Sequence, residues 1–167
     1  IIIVGGGKVG QATAKRLSAE GHDITLVDKN ADRIQHLGDR LDIMCVKGNG
    51  LHTGILLEAG VAEADLIITT TQSDEINMLC CLTAKRLGAK HTIARIRDPE
   101  YSEELSALKK EMGLDMVVNP EQEAAAEIAR VLRFPTAINV ETFVDGNVEM
   151  VSFRIKENDI LSGKSIS

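Results

Sequence analysis

Ten residues at the start of the chain restrict its fold more than any others: Ile1-Ile2-Ile3-Val4-Gly5-Gly6-Gly7-Lys8-Val9-Gly10. Four apolar residues read as a buried strand, and the glycine turn after them opens a helix. In the spacing Gly5-x-Gly7-x-x-Gly10 each glycine has a separate task. The first permits the tight turn, the second lets the backbone approach a pyrophosphate, and the third lets the helix pack closely on the strand. Gly6 adds room. The amides at the helix N-terminus then face the anion with the positive end of the dipole. A lone glycine pattern is weak in a chain holding 14 glycines. Its context strengthens it: a strand before, a helix after, and an acidic residue at the end of the next strand.

The chain has 167 residues, 44% of them hydrophobic. That predicts one domain of ordinary size with part of a second, and a core that needs no metal or disulfide staple. A net charge of −6 argues against general nucleic-acid binding, because no basic field draws a phosphate backbone. Cys45, Cys80 and Cys81 lack metal-ligand spacing and are expected as small hydrophobes in a reducing, cytoplasmic compartment. The apolar runs are strand-length, so no bilayer span is predicted, and no signal peptide is seen. A start inside a strand and a stop just after the turn signal at Gly163 suggest a piece of a longer protein.

Strands and helices are then expected to alternate. Helix spacing at Val9, Ala12, Thr13 and Leu17 ends at Gly21, and the strand Ile24-Thr25-Leu26-Val27 delivers Asp28 to its C-terminal end. A carboxylate there accepts the hydroxyls of an adenosine ribose and repels a 2′-phosphate, which favours NAD over NADP. The other reading of Asp28 is a helix cap, a task for which Asn30 is better placed. A helix over 31–40 leads to a strand over 42–46 and to Lys47-Gly48-Asn49-Gly50, either a turn approaching the ligand at the level of an adenine or a plain turn. A helix over 52–59 precedes the strand Leu66-Ile67-Ile68-Thr69-Thr70. Thr71, Gln72 and Ser73 follow it, small polar groups suited to a cofactor groove, with Ser73-Asp74-Glu75 also able to cap a helix. That helix carries Ile76, Leu79, Cys80, Thr83, Ala84 and Leu87 on a stripe expected against the sheet, while Met78, Cys81 and Leu82 lie outside it and call for a second partner. The strand His91-Thr92-Ile93-Ala94 brings Arg95 to the crevice side, where it reaches a pyrophosphate, joins a subunit contact or pairs with a surface carboxylate. A helix opened by Asp98-Pro99, with Tyr101, Leu105, Leu108 and Met112 on one stripe, and a strand over 115–118 complete the series.

The fold class is therefore α/β, a Rossmann-like doubly wound parallel sheet over 1–119. A crossover helix packed on two bodies is expected over 120–135, where Ala124, Ile128, Val131 and Leu132 on one side and Ala125, Ala126 and Ala129 beside them make an apolar arc too wide to cover one sheet. Residues 136–167 are expected to begin a small C-terminal lobe. It opens with a hairpin, 137–144 and 148–155, turning at Asp145-Gly146-Asn147.

Together the glycine turn, Val27-Asp28, Gly48-Asn49-Gly50, Thr71-Gln72-Ser73-Asp74-Glu75-Ile76-Asn77, Ala94-Arg95-Ile96-Arg97 and Asn119-Pro120-Glu121 resemble the Trk-type regulatory domains (RCK, or KTN) that control potassium conductance. The likeness runs along essentially the whole chain. It implies lobes that dimerise and build rings at the cytoplasmic face of a membrane potassium transporter of Trk type. It also implies nucleotide contacts at Gly5, Gly6, Gly7, Lys8, Val9, Asp28, Asn49, Thr71, Gln72 and Arg95, with Gly10 completing the turn. Many relatives carry Asp where this chain has Asn49, and often Arg where it has Lys8.

Two functions follow. One is a regulator in which NAD, NADH, ATP or ADP shifts the arrangement of lobes or subunits. The other is the cofactor-binding fragment of an NAD-dependent dehydrogenase. The sequence shows no Ser/His/Asp set and no HExxH motif, and His22, His36, His52 and His91 are scattered, so no catalytic or metal-binding residue is assigned. The regulator is favoured.

Overall fold

The computed structural model of the chain describes residues 1–98, 100–101, 109, 111–134, 137–143, 148–155, 157 and 162–163. Two compact units emerge, Ile1–Pro120 and Glu121–Ser167.

The first unit has the Rossmann-like α/β fold. Its strands are β1 (Ile2–Val4), β2 (Thr25–Asp28), β3 (Met44–Lys47), β4 (Leu66–Thr69), β5 (His91–Arg95) and β6 (Met116–Val118), ordered β3-β2-β1-β4-β5-β6. Every pairing is parallel. The helices are α1 (Lys8–Ala19), α2 (Ala31–Gly38), α3 (Thr53–Glu58) and α4 (Asp74–Leu87). All six expected strands are present, their ends moved by a residue or two. The helix expected after Asp98-Pro99 falls largely outside the described residues. Strand order reverses direction between β1 and β4, and an open sheet of this kind leaves its crevice there, beyond the carboxyl ends of the strands.

The apolar run of β1 is explained by burial on both faces, as a central parallel strand requires. Side chains alternate between the faces. Ile2 and Val4 join Val27, Val46, Leu56 and Ile67, whereas Ile3 joins Ala14, Leu26 and Leu37 on the other side. Each such aliphatic side chain contributes about 1.5–3 kcal/mol by leaving water.

Helix α4 corrects the expected stripe. Its buried residues are Asp74, Asn77, Met78, Cys80, Cys81 and Ala84, while Leu79 is 49% exposed. Cys80 and Ala84 do face the core, and Leu87 packs against it. Met78 and Cys81, however, pack with Ala94, Ile96 and Leu114 on the sheet side instead of waiting for another partner. The cause is two polar residues, Asp74 and Asn77, that turn inward to bond the strand ends and rotate the helix accordingly. All three cysteines are free, as expected. Burial pushes the Cys80 thiol up to about 12 and the Cys81 thiol up to about 11.

The second unit comprises α5 (Pro120–Arg133), whose first residue belongs to the first unit, and strands β7 (Ala137–Phe143) and β8 (Val148–Phe153). The two strands pair antiparallel, as the hairpin reading expects. The turn at Asp145-Gly146-Asn147 lies outside the described residues. Arg130 Nη1 donates to the Val140 carbonyl at 3.2 Å and Arg133 Nη1 to Glu149 Oε1 at 3.0 Å.

Candidate functional site

A groove of about 360 Å³ lies at the carboxyl ends of the central strands. Beneath it runs the glycine turn. Gly5 has φ +105°, and a Cβ there would stand 2.9 Å from Thr71 N; at Gly10 a Cβ would stand 1.9 Å from the Gly5 carbonyl oxygen. Both positions therefore exclude side chains, the first by conformation and space, the second by space alone. A Cβ at Gly7 would meet no atom within 4 Å, so bare backbone there borders open groove. Gly7 immediately precedes α1, whose first-turn amides carry the positive end of the helix dipole. These are the features a phosphate group needs.

Asp28 is 7% exposed and ends β2 at the groove wall. Its Oδ2 accepts from the Gly6 amide at 2.6 Å and its Oδ1 from the Asn30 amide at 2.7 Å. The carboxylate thus clasps the glycine turn as well as facing the groove. Gly6 is more than added room, because its amide is that clasp's other half. Asn30 caps α2, accepting from the Arg33 amide at 2.9 Å. Asn49 lines the groove between Gly48 and Gly50 and also closes its own turn, its Oδ1 accepting from the Leu51 amide at 3.1 Å. The segment is thus a closed turn that also lines the groove.

At the end of β4 the threonines divide. Thr69 Oγ1 donates to the Asn77 carbonyl at 3.2 Å and Thr70 Oγ1 to the Gly5 carbonyl at 2.9 Å, so both hydroxyls serve the fold. Thr71, Gln72 and Ser73 form a corner that lines the groove. Behind the corner, Arg95 Nη1 donates to the Thr71 carbonyl at 3.5 Å, and Arg97 donates to the Gln72 carbonyl. Asp74 is 6% exposed and accepts from the Arg97 and Asp98 amides at 2.8 and 3.0 Å. Burial pushes its carboxyl up, and those amides together with the Arg97 guanidinium outweigh burial and hold it below the usual carboxylate range.

Of the residues singled out in the sequence, Gly5, Gly7, Asp28, Asn49, Thr71 and Gln72 come together in the groove wall. Gly6 and Gly10 stand behind it. Val9 and Arg95 are half-buried outside the lining, and exposed Lys8 borders a second concavity of about 500 Å³ with Lys15, His36 and Arg40. Lys29, Arg33 and Ile76 join the wall without having been anticipated. Arg33 Nη1 stands 3.5 Å from Asp28 Oδ2, and its position one helical turn past the strand end was the available signal. Among the described residues no group of three or more His, Cys, Asp or Glu is placed to hold a metal, and no helix is long and apolar enough to cross a membrane.

Against known proteins, the TrkA-N domain model matches residues 1–120. The Trk system potassium uptake protein TrkA of Vibrio alginolyticus is 38% identical over 170 residues, covering 100% of this chain and 37% of that protein. The chain spans about two fifths of the length of the curated relatives it matches. Among solved structures, the TrkA-N domain of the inner membrane protein ybaL from Escherichia coli has a TM-score of 0.69 at 24% identity, covering 78% of this chain and 94% of that one. The GsuK structure bound to ADP has a TM-score of 0.60 at 27% identity, covering 71% and 30%.

Proposed function

Because the chain belongs to the TrkA-N domain family, we propose that it is the nucleotide-binding part of a regulatory subunit of a potassium uptake system. In this reading NAD, NADH, ADP or ATP occupies the groove. Its adenosine ribose meets Asp28, its phosphates lie over the glycine turn, and occupancy gates a membrane potassium transporter from the cytoplasmic side. The observation that carries the reading is the clasped turn itself. The Asp28 carboxylate, bonded to the Gly6 amide, stands beside the bare backbone of Gly7 at the strand-order reversal, an arrangement that suits a ribose acceptor next to a phosphate seat. The ADP in the GsuK structure and the names of the TrkA relatives support the ligand class and the transport role.

The protein acts as a switch rather than an enzyme, and a ligand moves such an equilibrium only by its different affinity for two arrangements, typically by about 1–3 kcal/mol. We further infer that it works as a homo-oligomer, in which groove occupancy changes how subunits are held. Calorimetry with NAD and ADP tests the ligand assignment. Asp28→Ala is expected to weaken both by about tenfold or more, the worth of hydrogen bonds to a charged acceptor. Unchanged affinity would remove Asp28 from the site. Turnover of a hydroxy-acid substrate with NAD at an enzymatic rate would replace the regulator by a dehydrogenase.

A further inference from the structure

Asn77 lies near the start of α4 and is wholly buried, and it does not itself line the groove. Its Oδ1 accepts from the Thr71 amide at 2.8 Å and from Thr71 Oγ1 at 2.7 Å. Its Nδ2 donates to the Arg95 carbonyl at 2.7 Å and to the Thr71 carbonyl at 3.4 Å. Its backbone is committed as well, the amide donating to the Ser73 carbonyl at 3.1 Å and the carbonyl accepting from Thr69 Oγ1. One buried asparagine thus ties the end of β4 through its backbone carbonyl, and the corner at 71–73 and the end of β5 through its side chain. An amide in such surroundings is retained at the cost of its hydration, so every one of these bonds must be made for the fold to tolerate it.

We propose that Asn77 is the positioning residue of the groove's β4 wall. It holds the Thr71–Ser73 corner where the far part of a bound nucleotide rests. This rests on the nucleotide reading given above. Sheet order supplies the geometry. Asp28, Asn49 and their neighbours line the groove at the ends of β2 and β3, the glycine turn at β1, and Thr71, Gln72 and Ser73 at β4 on the opposite side. A mononucleotide seated on Asp28 and the glycine turn covers the first two regions. A dinucleotide continues across β1 onto the corner. Thr71 then acts mainly as a shaped wall, because its amide, hydroxyl and carbonyl are all engaged inside the fold by Asn77, Ser73 and Arg95. The Asn77 amide distinguishes dinucleotides from mononucleotides without touching either.

The test compares NAD with AMP by calorimetry on the wild type, Asn77→Asp and Asn77→Ser. Asn77→Asp keeps the acceptor for Thr71 and removes the donor to Arg95; Asn77→Ser removes both. Each is expected to weaken NAD by about tenfold, as the loss of a buried hydrogen-bond partner does, and to leave AMP unchanged. Equal weakening of both ligands, the signature of general loosening, would overturn the proposal, as would an unchanged ratio. A second measurement needs neither variant nor ligand. By hydrogen exchange, the Thr71 amide of the free wild type is expected to be as protected as amides inside β4, and exchange at the rate of an open loop would also overturn the proposal. Failure of wild-type protein to bind AMP or NAD would instead sink the nucleotide reading.

Discussion

At Gly10 the missing side chain is a matter of room, since a Cβ would stand 1.9 Å from the Gly5 carbonyl oxygen and 2.7 Å from Thr70 Oγ1. Neither neighbour can retreat, because Thr70 Oγ1 itself donates to that same carbonyl at 2.9 Å. Gly10→Ala is therefore expected to cost about 3 kcal/mol of stability, as overpacking a rigid site does, and to blunt nucleotide binding by displacing the turn. Urea unfolding of the variant checks this; a loss below about 0.5 kcal/mol, the scale of an ordinary surface change, would mean that the strand–helix approach is looser than described. The glycines and Asp28 were legible in the sequence because their tasks follow from short-range spacing along one strand, one turn and one helix. The clasp between Asp28 and the Gly6 amide was not, since it joins residues 22 apart through a side-chain rotamer. Arg33 and Lys29 escaped for a similar reason: their place at the groove depends on how α2 leaves β2.

At the scale of elements, strands were easy to recognise and helix faces were not. A run such as Ile1 to Val4, followed at once by Gly5, has few alternatives to a buried strand. Helix α4 offered apolar residues on more than one side, and the choice between them was made by Asp74 and Asn77, which pattern reasoning sends to solvent. Asp74 gives this element a pH dependence with a definite sign. Its carboxyl is held below its ordinary value in the fold, so its stabilisation is complete above the unfolded carboxylate range, near pH 4, and is lost as pH falls through the depressed folded value. Asp74→Asn removes the charge that the Arg97 guanidinium and the two amides recognise, and is expected to cost about 1–3 kcal/mol at neutral pH. The difference between wild type and variant should shrink on acidification. A thermal-melt series from pH 7 to pH 3 reads it, and a constant difference across the series would assign the stabilisation to packing rather than to the ionised group.

For the whole molecule, the second unit poses the remaining physical question, because it displays apolar surface that a solitary small unit has no reason to keep. Ile128, Val131 and Leu132 on α5 are 62%, 58% and 74% exposed, Ile138 on the hairpin is 62% exposed, and Phe143, Val148, Met150 and Phe153 there are each about half exposed. The apolar residues of α5 are thus exposed in this unit, while Arg130 and Arg133 bond the hairpin. On the homo-oligomer reading proposed above, these exposed apolar side chains are where copies of the chain meet. Burying one such aliphatic side chain between copies is worth about 2 kcal/mol, and replacing it by glutamate adds the cost of taking a carboxylate out of water. Ile128→Glu should therefore weaken self-association by about a hundredfold or more, since each 1.4 kcal/mol is tenfold. On a sizing column with light scattering, at concentrations where the wild type is assembled, the variant is expected at a smaller mass with its circular dichroism preserved. An unchanged mass would take α5 out of the assembly. A monomeric wild type would leave the apolar face to the parts of the longer relatives that this chain does not span, and would separate nucleotide binding from oligomer formation altogether.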